Sequence, residues 1–196
     1  PGFDALKVFN GKEATGYPPA RGSDAAFTPS VLGDWYNLLN RGHRYVAVGN
    51  SDSHSVVEDP VGYPRNFIRT PDDAALRPSA AQILSSLRNR RSFTTLGPFV
   101  SFSVNGHEMG SEFTSQSGQV DMAIRVQAAS WIDVDRVRLV VNGDVIEDIP
   151  VPDERDPVRL DVHRTVRLKG DSWIALQVEG DEALSPIVPD GERPTR

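Results

Sequence analysis

After Gly97-Pro98 the hydrophobic pattern of this chain changes its period, and that change decides what each half can fold into. Val120, Met122, Ile124 and Val126 alternate with Asp121, Ala123 and Arg125. A strand turns successive side chains to opposite faces, so such alternation writes a sheet with one buried face. Val137, Leu139 and Val141 alternate with Arg136, Arg138 and Val140, and Val158, Leu160 and Val162 with Arg159 and Asp161. The first-named set of each pair is expected to face inward. Asn105-Gly106 and Asn142-Gly143 follow apolar runs and are hairpin dipeptides. Residues 173–178 read as a last strand, and no helix is expected beyond residue 92. Residues 97–196 are thus expected to form an antiparallel, sandwich-like all-β module. Its Pro-, Gly- and charge-rich end, 181–196, reads as loop or as a truncated end.

Residues 1–96 follow α/β grammar. Residues 3–9 form a short apolar strand closed by Asn10-Gly11. A long Gly-, Pro- and Ala-rich loop covers 12–30. Val31, Leu32, Trp35, Leu38 and Leu39 then recur at helical spacing, with Ser30 as N-cap and Gly42 as the stop. Residues 45–48 are a buried strand and 67–70 another. Ser79 and Gln82 have capping-box spacing, and Ile83, Leu84 and Leu87 give that second helix its apolar face. The order strand, helix, strand, strand, helix predicts strands layered under helices. A chain that opens on Pro1 and enters a core strand at once is expected to be cut from something longer.

Bulk properties narrow the function classes. A net charge of −6 disfavours a nucleic-acid scaffold, so no nucleic-acid partner is expected. The one basic cluster, Arg88-Asn89-Arg90-Arg91, falls where cations favour a helix C-terminus. With no cysteine, disulfides, zinc–cysteine sites and thiol catalysis are excluded. No apolar stretch is long enough for a membrane span. Neither a Gly-x-Ser-x-Gly elbow nor a Walker-type phosphate loop occurs.

The sharpest local feature is Asp52-Ser53-His54, directly after an apolar strand. In parallel α/β architectures functional groups gather at the C-terminal strand ends. A carboxylate and an imidazole two residues apart on a tight turn can converge on one cation. Asp supplies a hard, charged oxygen, and neutral His a nitrogen suited to zinc, manganese or iron. Gly49, Asn50, Ser51, Ser53 and Ser55 are small and polar, leaving room for substrate. The bland alternative is a turn, with Asp52 capping the backbone. His43 belongs to the αβ connection at the opposite end of the sheet, and His107 and His163 are expected to face solvent. Asp4 reads as a turn residue, and Glu58 and Asp59 as a loop from which Glu58 could reach the site. Asp52 and His54 are two ligands where a catalytic metal takes about three from the protein.

The segments 3–11, 35–42 and 48–54, then Gly62-Tyr63-Pro64-Arg65-Asn66-Phe67 and Gly97-Pro98-Phe99-Val100, resemble the CehA/McbA-type metallohydrolases of the PHP (polymerase and histidinol phosphatase) superfamily. The likeness extends to Ser130-Trp131-Ile132-Asp133-Val134-Asp135 and Asn142-Gly143, and so covers nearly the whole chain in order. It implies that residues 1–96 are the C-terminal portion of a distorted β/α barrel whose strand ends hold divalent metals. It also implies that Asp52 and His54 are the family's last ligand motif. The earlier motifs, beginning with His-x-His, have no counterpart here and would precede Pro1. Lys7 stands where relatives usually carry Glu.

The implied activity is hydrolysis of a small-molecule phosphoester or aryl ester or carbamate by metal-activated water. The chain alone is expected to be weakly active or inactive. Arg65 could hold an anionic substrate group through its fork, and Asn10 and Asn50 could line the pocket. The alternative reading is a carbohydrate- or protein-binding β-module on a non-catalytic barrel remnant; in a third, the module only braces the barrel. Trp131 and Trp173, each beside an Ile at a strand start, are expected to be core anchors, and exposed tryptophans would instead favour a binding platform. A periplasmic or secreted location is favoured over the cytoplasm.

Overall fold

The computed structural model describes residues 2–10, 31–54, 61–71, 77–182 and 184. The expected loop over 12–30, the Ser30 cap, Glu58, Asp59 and all of the tail past residue 182 except Leu184 lie outside these residues. The described chain is mostly β-strand, arranged in several sheets, with few helices.

β1 (Ala5–Asn10) and β2 (Val46–Asn50) pair in parallel, and α1 (Val31–Asn40) lies between them in sequence and packs on β1. Val8, Val46 and Gly49 are buried in this pair. α1 ends as its sequence predicts. Gly42 takes φ +80°, its N–H donates to the Leu39 carbonyl at 2.9 Å, and the His43 N–H reaches back to the Leu38 carbonyl at 3.0 Å. Trp35 Nε1 then donates to the Tyr45 carbonyl at 2.8 Å, fixing the helix to the start of β2.

β3 (Arg65–Ile68) and β4 (Ser92–Thr95) form an antiparallel pair, separated in sequence by α2 (Ala80–Arg88). The capping box is formed: Gln82 N–H donates to Ser79 Oγ, and Ser79 N–H to Gln82 Oε1 at 2.8 Å. β3 begins earlier than its apolar letters suggest, because Arg65 and Asn66 pair with Thr95 and Thr94. β4 is Ser-Phe-Thr-Thr, too short and too polar to show a period.

The remaining strands are β5 (Phe99–Val104), β6 (His107–Glu108), β7 (Gln119–Gln127), β8 (Arg136–Val141), β9 (Asp144–Pro150), β10 (Val158–Arg167) and β11 (Ile174–Glu179). They make one sheet ordered β10-β7-β5-β6 and another ordered β11-β8-β9, every pairing antiparallel. Val120, Met122, Ile124 and Val126 from the first sheet meet Val137, Leu139 and Ile149 from the second in one core. The module is therefore sandwich-like, and no helix follows α2 among the described residues.

Strict alternation fails at two register shifts. One lies between Leu139 and Val140, so that Val140 is fully buried beside Leu139 while Val141 is only half-buried. The other lies between Val158 and Leu160. There Arg159, expected outside, is 7% exposed, and Val158, expected inside, is 37% exposed. A bulge admits an extra residue and swaps the faces beyond it. Buried Arg159 is stabilised by donating to the carbonyls of Glu154, Ala129 (2.8 Å) and Ile132 (3.0 Å). One guanidinium thus ties the β7–β8 loop to the β9–β10 loop.

The tryptophan expectation is corrected as well. Trp131 is 44% exposed, because Ile132 takes the core place at that turn and packs against Gly97. Trp173 is half-buried, and its neighbours are on α1. Its ring centroid lies 4.9 Å from that of Tyr36 and 6.4 Å from that of Trp35, and its Nε1 donates to Asn40 Oδ1 at 2.7 Å. Asn40 Nδ2 donates in turn to the Asn142 carbonyl at 3.1 Å, and Gln177 Nε2 to the Tyr36 hydroxyl at 2.9 Å. On another side Glu112 accepts from both Arg90 and Arg44, at 2.5 and 2.7 Å. The α/β part and the β-module are joined by polar and aromatic contacts that no local pattern announces.

Candidate functional site at the β2 strand end

Parallel pairing brings the C-terminal ends of β1 and β2 side by side, with Asn10 in register with Asn50. The chain leaves β2 through Ser51 and turns at Asp52, whose φ of +54° is left-handed. Asp is among the few residues that enter this region without large cost. The turn carries the His54 ring back so that Nδ1 lies 2.6 Å from the Asp52 carbonyl oxygen. A carbonyl only accepts, so Nδ1 is the donor in this contact. His54 is exposed, and Asp52 and Ser53 are half-buried.

The strand end itself is held by a side chain. Asn66 on β3 accepts from the Gly49 N–H at 2.8 Å and donates to the Gly49 carbonyl at 2.7 Å. Its amide acts as a strand partner for one residue and joins the β1–β2 pair to the β3–β4 pair. Gly49 has no room for a side chain. A Cβ there would collide with Thr94 Oγ1 and lie 3.0 Å from both Phe9 Cβ and Pro64 Cγ. Asn66 was not singled out from the sequence. A lone Asn before an apolar run gives no signal of such pairing.

Arg65 precedes Asn66 on β3. Its Nη2 donates to the Leu96 carbonyl at 3.1 Å, and its guanidinium carbon lies 4.6 Å from the Tyr63 ring centroid. Its Nε is buried and has no hydrogen-bond partner among the described residues. Lys7, in register with Val48, is exposed. His43 stacks on Tyr45 at 5.6 Å, at the end of the β1–β2 pair away from Asp52. His107 and His163 are exposed, the former stacked on Phe113 at 4.5 Å. Asp4 accepts from Arg88 Nε at 3.0 Å, again at the far end. Among the described residues no group of three or more His, Cys, Asp or Glu converges as a metal cage. Asp52 and His54 place on this turn one carboxylate and one imidazole, donor types that a divalent cation takes.

A cleft of about 1580 Å³ lies between α1, β1 and β4 on one side and β5 and β11 on the other. Asp52 and His54 do not line it, so its size has no bearing on the strand-end motif. Tyr36 lines this cleft, where burial pushes its phenol up to about 12. Glu179 nearby is also raised by burial, against the lowering influence of Arg138 and Arg136. On the same cleft Asp133 Oδ2 accepts from the Asp181 and Glu182 N–H groups at 2.9 and 3.1 Å; against burial, these bonds, Asp135 and the Arg155 charge hold its carboxyl below the usual range. No protein-family model, curated protein or solved structure matches the chain.

Proposed function

We propose that this chain contributes Asp52 and His54 to a divalent-metal centre of a hydrolase, at the C-terminal end of strands belonging to a PHP-like distorted β/α barrel. The observation that carries the reading is the His54 contact. Metal-bound histidines are commonly oriented by a contact between their other ring nitrogen and a carbonyl or carboxylate, and His54 Nδ1 makes such a contact with the Asp52 carbonyl at 2.6 Å. Two further features support it. The parallel β1–β2 pair, with α1 between its strands, is a βαβ unit of the kind barrels repeat, and its C-terminal edge collects Asn10, Asn50 and Asp52. Such edges are where α/β folds place their chemistry.

In this reading Asp52 supplies anionic charge and His54 a neutral nitrogen. When bound, zinc, manganese or iron lowers the pKa of a coordinated water and polarises the oxygen under attack. Asn50 lies at its strand end as a candidate substrate contact, with the backbone of Asn10 in register beside it; the Asn10 side chain lies outside what the structure describes. Arg65 would hold an anionic substrate group only by exchanging its Leu96 contact. The substrate class is a small ester or phosphoester. Elemental analysis of full-length protein purified without chelator tests the proposal. Bound transition metal should fall in the Asp52→Ala/His54→Ala double variant, and unchanged metal content in that variant would refute it.

A second reading, a carbohydrate- or protein-binding β-module, has one specific observation in its favour, the 44% exposure of Trp131. Saccharide-induced change in tryptophan fluorescence that disappears in Trp131→Ala would establish it. A full screen without such a change would remove it.

A further inference from the structure

A second cleft, of about 420 Å³, lies between the β3–β4 pair and the outer face of the β10-β7-β5-β6 sheet. It does not include the strand-end motif, and it adjoins the cleft beside α1, with which it shares Phe93, Val100 and Glu108. Its wall is aromatic. Phe67 and Phe93 pair across β3 and β4 with centroids 5.2 Å apart, and Phe99 at the start of β5 meets both edge-on, at 5.0 and 5.5 Å. Phe99 is 40% exposed, so the ring cluster is not closed over.

The floor follows from strand register. Next to Phe99 on the outer face of β5 come Ser101 and Ser103, opposite Arg125 and Ala123 of β7. Small side chains beside three phenyl rings leave a trough. Its ends are polar: Arg125 pairs with Asp161, and Arg69 with Glu108. Arg91 lines the same cleft, and its guanidinium makes no ion pair among the described residues. The charged groups of the cleft are Arg69, Arg91 and Arg125 against Glu108 and Asp161, leaving one positive charge uncompensated.

We infer that this cleft binds a small aromatic carboxylate, its ring against Phe67, Phe93 and Phe99 and its carboxylate toward Arg91. The volume suits a one- or two-ring molecule. The phenyl wall supplies stacking and edge contacts for a planar apolar body. The Arg91 guanidinium, which makes no ion pair among the described residues, supplies the planar, bidentate donor pair that a carboxylate fits. A neutral aromatic ligand would use the wall and leave Arg91 unmatched. An aliphatic acid would use Arg91 and leave the wall wet.

Titration of the ¹⁵N-labelled chain with indole-2-carboxylate, and separately with indole-2-carboxamide, tests this. Saturable shifts are expected at the amides of Phe99, Ser101, Ser103 and Ala123. The acid should bind about tenfold more tightly than the amide, the gain of a charge-assisted pair over a neutral one. Arg91→Gln, at an exposed position, should abolish that preference while keeping the spectrum of the folded chain. Ser101→Leu, on the outer face, should fill the trough and weaken both ligands. The inference is overturned if millimolar acid gives no saturable shift at these amides, if acid and amide bind equally, or if Arg91→Gln leaves the preference intact.

Discussion

Gly49→Ala is the most direct probe of how the strand end before Asp52 is built. Gly49 is not in the left-handed region, so the objection to alanine is space alone. The new methyl would overlap Thr94 Oγ1 and press on Phe9 Cβ and Pro64 Cγ, each at 3.0 Å. Phe9 is a strand residue and Pro64 a ring locked to the backbone, so neither can swing away as a long side chain could. Overpacking of this kind costs about 1–3 kcal/mol. Any backbone shift would also loosen the paired Asn66 bonds, worth about 1 kcal/mol each. We expect a loss of about 2–3 kcal/mol in all. With a urea m-value of about 2 kcal/mol/M, the unfolding midpoint would fall by about 1 M.

Thr94→Ala identifies the cause. Alone it removes the Thr94 Oγ1 donation to the Arg65 carbonyl, 3.3 Å long, and should cost about 1 kcal/mol. In the Gly49→Ala background it also removes the atom in sharpest conflict. The double variant should therefore be at least about 1 kcal/mol more stable than the sum of the singles predicts. Additivity within about 0.5 kcal/mol would refute steric conflict at Gly49 as the reason this position is glycine.

Three further outcomes follow from the packing. Arg159→Met should destabilise by about 2–4 kcal/mol in urea unfolding, because the carbonyls of Glu154, Ala129 and Ile132 lose a charged donor, and Arg159→Lys should recover little, since one ammonium cannot span them. Asn40→Ala breaks the bonds to Trp173 Nε1 and the Asn142 carbonyl and should cost about 1–2 kcal/mol, with a change in tryptophan emission that is absent in Trp173→Phe. Tyr36 holds its proton to about 12 in the fold and to its usual 10 when unfolded; the folded state therefore binds more protons over that window, and stability falls as pH rises from 10 towards 12. Titration at 295 nm should show a late-ionising phenol that Tyr36→Phe removes.

How far the sequence could be read depended on whether each structure had a local cause. α1 stops at Gly42 because a left-handed residue is needed there, and α2 starts at Ser79 because a hydroxyl and an amide three residues apart can satisfy two orphan donors. Both causes sit within a few residues, so both were legible. β7 was legible for the same reason: its pattern persists unbroken from Val120 to Val126. β8 and β10 misled exactly where a bulge changes the register, because a bulge is a property of the pairing and not of either strand's letters. The Asp52 turn and His54 could be proposed from spacing. The Asn66 brace could not, since Asn66 and Gly49 meet only after β3 has folded against β2.

The role of the β-module follows from the same distinction. The module touches the α/β part through side chains: α1, the element between β1 and β2, meets the β11 side of the module through Trp173, Gln177 and Asn40, while the loop after β6 reaches Arg90 and Arg44 through Glu112. On the other side of the β1–β2 pair, Gly49 is held by Asn66, and Arg65 of the same strand donates to Leu96, beside the Gly97 against which Ile132 packs. The strand end carrying Asp52 is thus braced through β3 to the turn that bears Trp131, and through α1 to β11. A two-stranded parallel pair has little stability of its own. The contacts that α1 and β3 make with the sandwich-like module therefore add to what steadies the strand end before Asp52.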